Sequence, residues 1–344
     1  DAERRLLRGQ GWGRDPLAAV VLKREAQVAE ALGDDALASS RWRELLQRFP
    51  EDPASADALY SLGRRQPALR EQLLERFPRH PATLAAAVEQ GPDGALHLAR
   101  WGVRWPGAGE QLRRRCAAGQ PALSNAERNQ LVAGLALLGD APAAQSCLGA
   151  SPATAATRLA MARALLLDPG REEEAEAHLL ELARSAPGSD EALEAVRLLS
   201  DGRSAASLDA IEQLPAGLRG SAPAQARLAR ESRDMERIQA VLRKWPDDPA
   251  SWGLQWHQAR QEALEGNWRE ASRVLDEPSL NGRLPVALEG RRRFWQGLAR
   301  WQLGQRQQAR EIWSDLLEQL PGGYYGWRAA VRLGRGDVEL DPLL

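Results

Sequence analysis

The sequence predicts an all-α protein built from stacked antiparallel helix pairs. Ala, Leu, Arg, Glu and Gln, all good helix formers, recur along the chain, and the alternating Val, Ile, Thr and Tyr runs that mark strands are missing. Segments of similar sequence return at fixed offsets. Glycine, proline and capping residues punctuate the chain at intervals suited to roughly twenty short helices joined by tight turns. The 344 residues exceed what one ordinary core holds, and 43% hydrophobic with 27% charged residues argue against general disorder. Together these features predict one continuous α-superhelical domain over residues 1–344, with irregular junctions near 134–152 and 201–223 where the repeat spacing is poorly kept.

The repeats carry most of this prediction. Leu32–Pro50 (LGDDALASSRWRELLQRFP) aligns without a gap on Leu303–Pro321 (LGQRQQAREIWSDLLEQLP). Gly33 matches Gly304, Ala38 matches Ala309, Trp42 matches Trp313, Leu45 matches Leu316 and Pro50 matches Pro321. Gly170, Ala175, Leu179, Leu182 and Pro187 form a third copy, and Gly266, Ala271 and Leu275 a partial fourth. Glycine ends one helix and supplies the turn. The alanine must be small because two helices cross there, while the large residue and the leucine after it share its face. Proline then prevents the helix from continuing. This pattern resembles the second helix of a tetratricopeptide repeat, which implies TPR-like helix hairpins.

A second period marks the junctions. Phe49-Pro50, Phe77-Pro78 and Trp105-Pro106 lie 28 residues apart, and KWPDDPA at Lys244–Ala250 reproduces the same junction later. Asp15-Pro16, Asp52-Pro53, Ser151-Pro152 and Asp248-Pro249 each place a capping residue before a proline suited to the first helical turn. Ser124 and Glu127 have the spacing of a capping box.

Charge and composition narrow the function classes. With 46 basic and 47 acidic residues mixed along the chain, no nucleic-acid partner is expected. No apolar run approaches the ~20 residues that cross a bilayer, so no membrane span is expected. Cys116 and Cys147 are either one disulfide or two buried thiols, since spacing alone does not fix their separation. The chain opens at Asp1 without an initiator methionine, as a processed product would, so a removed targeting segment is an expectation.

No complete catalytic set is legible. His80, His97, His178 and His257 are scattered and read as surface or loop residues, so no metal and no cofactor are expected. Phosphate-binding glycine loops and Gly-x-Ser-x-Gly are absent. Glu172–Glu174 suits the first turn of a helix, and Arg113–Arg115 and Arg291–Arg293 read as solvated helix faces. Twelve tryptophans stand against three phenylalanines and three tyrosines. Indole rings could stack on sugars, but Trp42 and Trp313 occupy the large-residue slot of the repeat, so core packing is the expectation for most of them.

Near the C-terminus, Phe294-Trp295, Leu303-Gly304 and Ala309 precede Tyr324-Tyr325-Gly326, Ala329-Ala330 and Arg332-Leu333-Gly334. About fifty residues here resemble the last part of the helical superhelix of soluble lytic murein transglycosylases. That resemblance implies a non-catalytic scaffold for a peptidoglycan-cleaving enzyme of the periplasm or cell envelope. Its partners would be peptidoglycan and a C-terminal catalytic domain, which the family carries just beyond such a motif and which residues 1–344 do not contain. The family's catalytic glutamate precedes a serine, but Glu231-Ser232 lacks the family's downstream Gly-Leu-Met-Gln and takes no catalytic role. Tyr324, Tyr325, Gly326, Arg332, Leu333 and Gly334 are the family-like structural motif, and the tyrosines are expected to lock the last helix pair. The alternative is a cytoplasmic TPR-like module that binds peptides or partner helices in its concave groove.

Overall fold

The computed structural model describes residues 17–118, 121–232, 234–276 and 284–334. They form α-helices and one 3-10 turn, with no strand among the described residues. The chain divides into two compact units, 1–175 and 176–344. In the first lie α1 (Ala18–Ala31), α2 (Asp35–Arg48), α3 (Ala54–Gly63), α4 (Pro67–Arg76), α5 (Pro81–Glu89), α6 (Ala95–Trp101), α7 (Ala108–Ala117), α8 (Asn125–Leu137), α9 (Ala141–Leu148) and α10 (Ala155–Leu166). The division falls within α11 (Glu172–Ser185). The second unit continues with α12 (Asp190–Asp201), α13 (Ala205–Glu212), α14 (Ala216–Arg219), α15 (Ala222–Ser232), α16 (Met235–Lys244), α17 (Pro249–Leu264), α18 (Trp268–Asp276), α19 (Val286–Gln302), α20 (Arg306–Gln319) and α21 (Tyr324–Arg332).

Helices pack against the next in sequence and, repeatedly, against the next but one: α1 and α2 both meet α3, and α19 and α20 both meet α21. This is the hairpin packing that the repeats predict. Gly33, Gly170, Gly266 and Gly304 all have φ between 74° and 87°, the left-handed conformation that glycine adopts without penalty. The small-residue slots Ala38, Ala175, Ala271 and Ala309 are buried, as are Leu45, Leu179, Leu275 and Leu316. Within 134–152 the structure contains a further copy. Gly139 (φ 76°) turns the chain, Asp140 caps α9, and Ala144 fills the small slot. Its large slot holds the partly buried Leu148, but Ser151 stands where the other copies have their second leucine, which is why the spacing is faint in the sequence.

Three of the aromatic junctions share one backbone shape; the Trp105 junction does not, since Gly102 follows α6 (φ −152°, ψ 42°) and α7 opens at Gly107 without a side-chain cap. Phe49, Phe77, Trp245 and Leu320 follow their helices with φ between −127° and −135° and ψ between 52° and 62°. Three residues after Phe49, Phe77 and Trp245, a side chain caps the next helix. Asp52 Oδ1 accepts from the Ala54 amide at 2.8 Å, Asp248 Oδ1 from Ala250 at 2.9 Å, and His80 Nδ1 from Ala82 at 3.2 Å. His80 is therefore a capping residue rather than an incidental surface histidine. Ser124 and Glu127 form the reciprocal capping box. Ser151-Pro152, by contrast, does not start a helix. The chain turns there, and Thr154 caps α10 instead, its hydroxyl accepting from the Thr157 amide at 3.2 Å. Asp15-Pro16 lies outside the described residues.

Cys116 at the end of α7 and Cys147 in α9 form a disulfide, with Cα atoms 5.1 Å apart. The bond sits against a core cluster of the first unit that includes Leu112, Leu131 and Leu135. Arg113–Arg115 is not a uniformly solvated face. Arg113 pairs with Asp140 at 2.8 Å, and Arg115 is buried with Nη2 donating to the Pro121 carbonyl at 2.9 Å.

Candidate functional site

The resemblance-bearing residues gather on α19, α20 and α21, around a nearly continuous aromatic cluster. Phe294 is 1% exposed and stacks on Trp313 with ring centres 6.1 Å apart. The Trp313 Nε1 donates to the Phe294 carbonyl at 3.1 Å, so the buried indole leaves no donor unmet. Gly297 stands where α19 crosses this indole, and a Cβ there would collide with the ring.

From this base α21 is held by its second residue. Tyr325 lies 5.7 Å from Phe294 and half-buried, while Tyr324 is 60% exposed and meets Tyr325 edge-on at 5.0 Å. Arg328 spans the two, its guanidinium 5.1 Å from the Phe294 ring and its Nη1 donating to Tyr324 Oη at 2.8 Å. Gly326 is buried, and a Cβ there would strike the Leu320 carbonyl oxygen. Leu333 packs on the same cluster, Gly334 ends the helix with φ 76°, and Arg332 is exposed. Of the six motif residues, Tyr325, Gly326 and Leu333 are packing residues. Tyr324 presents an open aromatic face beside Trp327, 6.1 Å away. The sequence did not distinguish the roles of the two tyrosines, because only the neighbouring helix decides which ring faces inward.

The other tryptophans divide in the same way. Trp42 is buried, with Nε1 donating to Glu30 at 2.8 Å. Trp256 is sandwiched by Trp295 (5.4 Å, edge-on) and the Arg291 guanidinium (4.5 Å). Burial holds the Arg291 pKa below its ordinary value. The slot that Trp252 and Trp256 line with Leu284 and Leu288 has a volume of about 20 Å³, too little for a sugar ring. Arg292 and Arg293 both bond Glu289; burial opposes its ionisation, but these two partners hold its pKa below the usual carboxylate range.

In the first unit, α2, α3 and α4 enclose an open groove of about 440 Å³. Leu46, Leu59, Leu62 and Leu69 form its floor, and Arg43, Gln47, Gln66, Gln72 and Arg76 its rim. An apolar floor with amide and guanidinium donors at its edge suits a peptide whose side chains alternate between packing and solvent. Glu231 is ion-paired to Arg227, and among the described residues no three His, Cys, Asp or Glu side chains are arranged to hold a metal.

The tetratricopeptide repeat family model matches residues 293–322, the last part of α19 and all of α20. No curated protein matches the chain. The Tyr324–Gly334 motif lies just beyond the matched residues.

Proposed function

We propose that this chain is a non-catalytic helical scaffold that binds a protein or peptide partner on its hairpin faces. The tetratricopeptide repeat match at 293–322 carries this reading, and the groove at 43–76 supports it by offering apolar floor and polar rim together. Panning a displayed random heptapeptide library on the purified chain tests it. The expected result is enriched peptides whose binding is reduced about tenfold or more by Arg43→Glu with Arg76→Glu. Failure to enrich any sequence, or enrichment indifferent to the groove, would argue against this reading.

A second reading is that the scaffold serves a peptidoglycan-cleaving enzyme of the lytic-transglycosylase type, seating a catalytic domain and guiding glycan strands in the periplasm or cell envelope. Two observations favour it. The Tyr324–Gly334 motif presents an exposed tyrosine beside Trp327, and the Cys116–Cys147 disulfide suits an oxidising compartment. Cosedimentation with purified peptidoglycan sacculi should then be saturable and weakened by Tyr324→Ala with Trp327→Ala. Sedimentation unchanged by that pair, or no binding to sacculi, would leave the first reading alone.

A further inference from the structure

The second unit contains a cleft of about 190 Å³ between the end of α12, the middle of α15 and the first turns of α17. Its charged lining is Arg197, Arg227 and Arg230 against Asp201 and Asp248. Asp248 is committed to capping α17 through the Ala250 amide. Arg227 is 5% exposed. One of its amino groups bonds Glu231, the other reaches the Ser204 carbonyl at 3.3 Å, and its buried Nε has no acceptor among the described residues. Arg230 makes only long bonds, to the carbonyls of Ser200 at 3.2 Å and Gly202 at 3.4 Å, and its Nε lies 3.7 Å from the Glu231 carboxylate. It also reaches a second hollow of about 380 Å³, which His257 and Arg260 line.

We propose that this cleft binds a side-chain carboxylate of an acidic peptide segment, with Arg230 as its principal contact and Arg260 steering the neighbouring residue. The proposal rests on the scaffold reading and names the chemistry of one partner. A carboxylate entering the cleft offers Arg230 a closer acceptor than the carbonyls it now reaches, and a guanidinium edge matches its two oxygens. No aromatic side chain lines the cleft, so there is no platform on which a base or sugar would stack. Guanidinium groups lie close enough here to oppose one another's charge. Burial first, and then the charge of Arg227, lower the Arg230 pKa. Burial, and then Arg230 and Arg260, lower that of His257. The acidic groups facing this region are Asp201, Glu231, Asp248 and, beside Asp201, Glu194; Glu194 pairs with Arg197 at 3.3 Å, and Glu231 pairs with Arg227 and, at 3.7 Å, with Arg230.

The test uses the full chain on an array of amidated hexapeptides containing zero to four glutamates, each paired with its glutamine counterpart. Affinity should rise with glutamate count and fall about tenfold in Arg230→Gln with Arg260→Gln. Exposed Arg310→Gln should leave it unchanged. Arg197→Gln with Arg260→Gln gives a second variant on more exposed positions should Arg230→Gln disturb folding, and a smaller loss in the same direction is expected there because Arg230 remains. Equal binding of glutamate and glutamine peptides overturns the proposal, as does equal loss in Arg310→Gln. So does an oligothymidylate competing as well as the acidic peptide, since that marks a general polyanion surface. Capture of neutral peptides indifferent to Arg230 and Arg260 removes this cleft but retains the scaffold reading. An array with no signal removes the cleft, and heptapeptide panning then judges the scaffold separately.

Discussion

Single residues decide how tightly the hairpins close. Gly326 sits where α21 meets the end of α20, with no room for a methyl group. Gly326→Ala is expected to cost about 2–3 kcal/mol through forced separation of the helices, read as a lowered melting temperature. Tyr325→Ala should cost about 2 kcal/mol because its ring packs on buried Phe294. Tyr324→Ala should cost well under about 1 kcal/mol, since an exposed ring loses little area on truncation. Equal costs would show that the two tyrosines share one role. The histidines give a pH dependence whose sign is fixed. Burial, as the leading cause, holds His80, His97 and His257 below their ordinary pKa of 6.5. Neutral imidazole is therefore favoured in the fold, and its stabilisation is complete above pH 6.5 and lost as pH falls through the folded-state values. Melting temperature should drop as pH falls below 6.5. His80→Asn keeps a capping side chain but cannot titrate, so it should flatten part of that slope.

At the level of the helix and its ends, sequence and structure agree most closely. The repeated Gly, small residue and Leu offsets are legible because helix period and turn geometry act within one hairpin. Gly33→Ala and Gly304→Ala should each cost about 1–2 kcal/mol, since both need a left-handed backbone with open space around it. A loss far below this would mean that the turn rearranges. Where the sequence misled, a competing local bond was the cause. Ser151-Pro152 has the composition of a helix start, but Thr154 is the residue whose hydroxyl reaches an amide three positions on. His80 was not recognised as a cap because histidine is an uncommon one, although its offset from Phe77 equals that of Asp52 from Phe49. The disulfide ties α7 to α9 across 31 residues. Replacing both cysteines with alanine should cost about 3–4 kcal/mol by loop entropy, measured by denaturant unfolding.

At the scale of the molecule, the two units 1–175 and 176–344 each hold their own buried clusters. Hairpin arrays gain stability from nearest neighbours, so a local defect should stay local. Loss of the disulfide is expected to shift an unfolding transition of the first unit, and Gly326→Ala one of the second. Hydrogen exchange of amides in α8 and α20 tells them apart; a uniform loss of protection after either change would show one cooperative block instead. The sequence by itself determined the all-α hairpin class, most turns and most caps, because these depend on residues within one or two helical turns of each other. Only tertiary structure decided that Cys116 meets Cys147, which tyrosine is buried, that the Trp252–Trp256 slot is too small for a sugar, and that Arg227 and Arg230 converge with Asp201 in one cleft. Each of these joins side chains from different helices, and their meeting depends on how one hairpin is seated on the next.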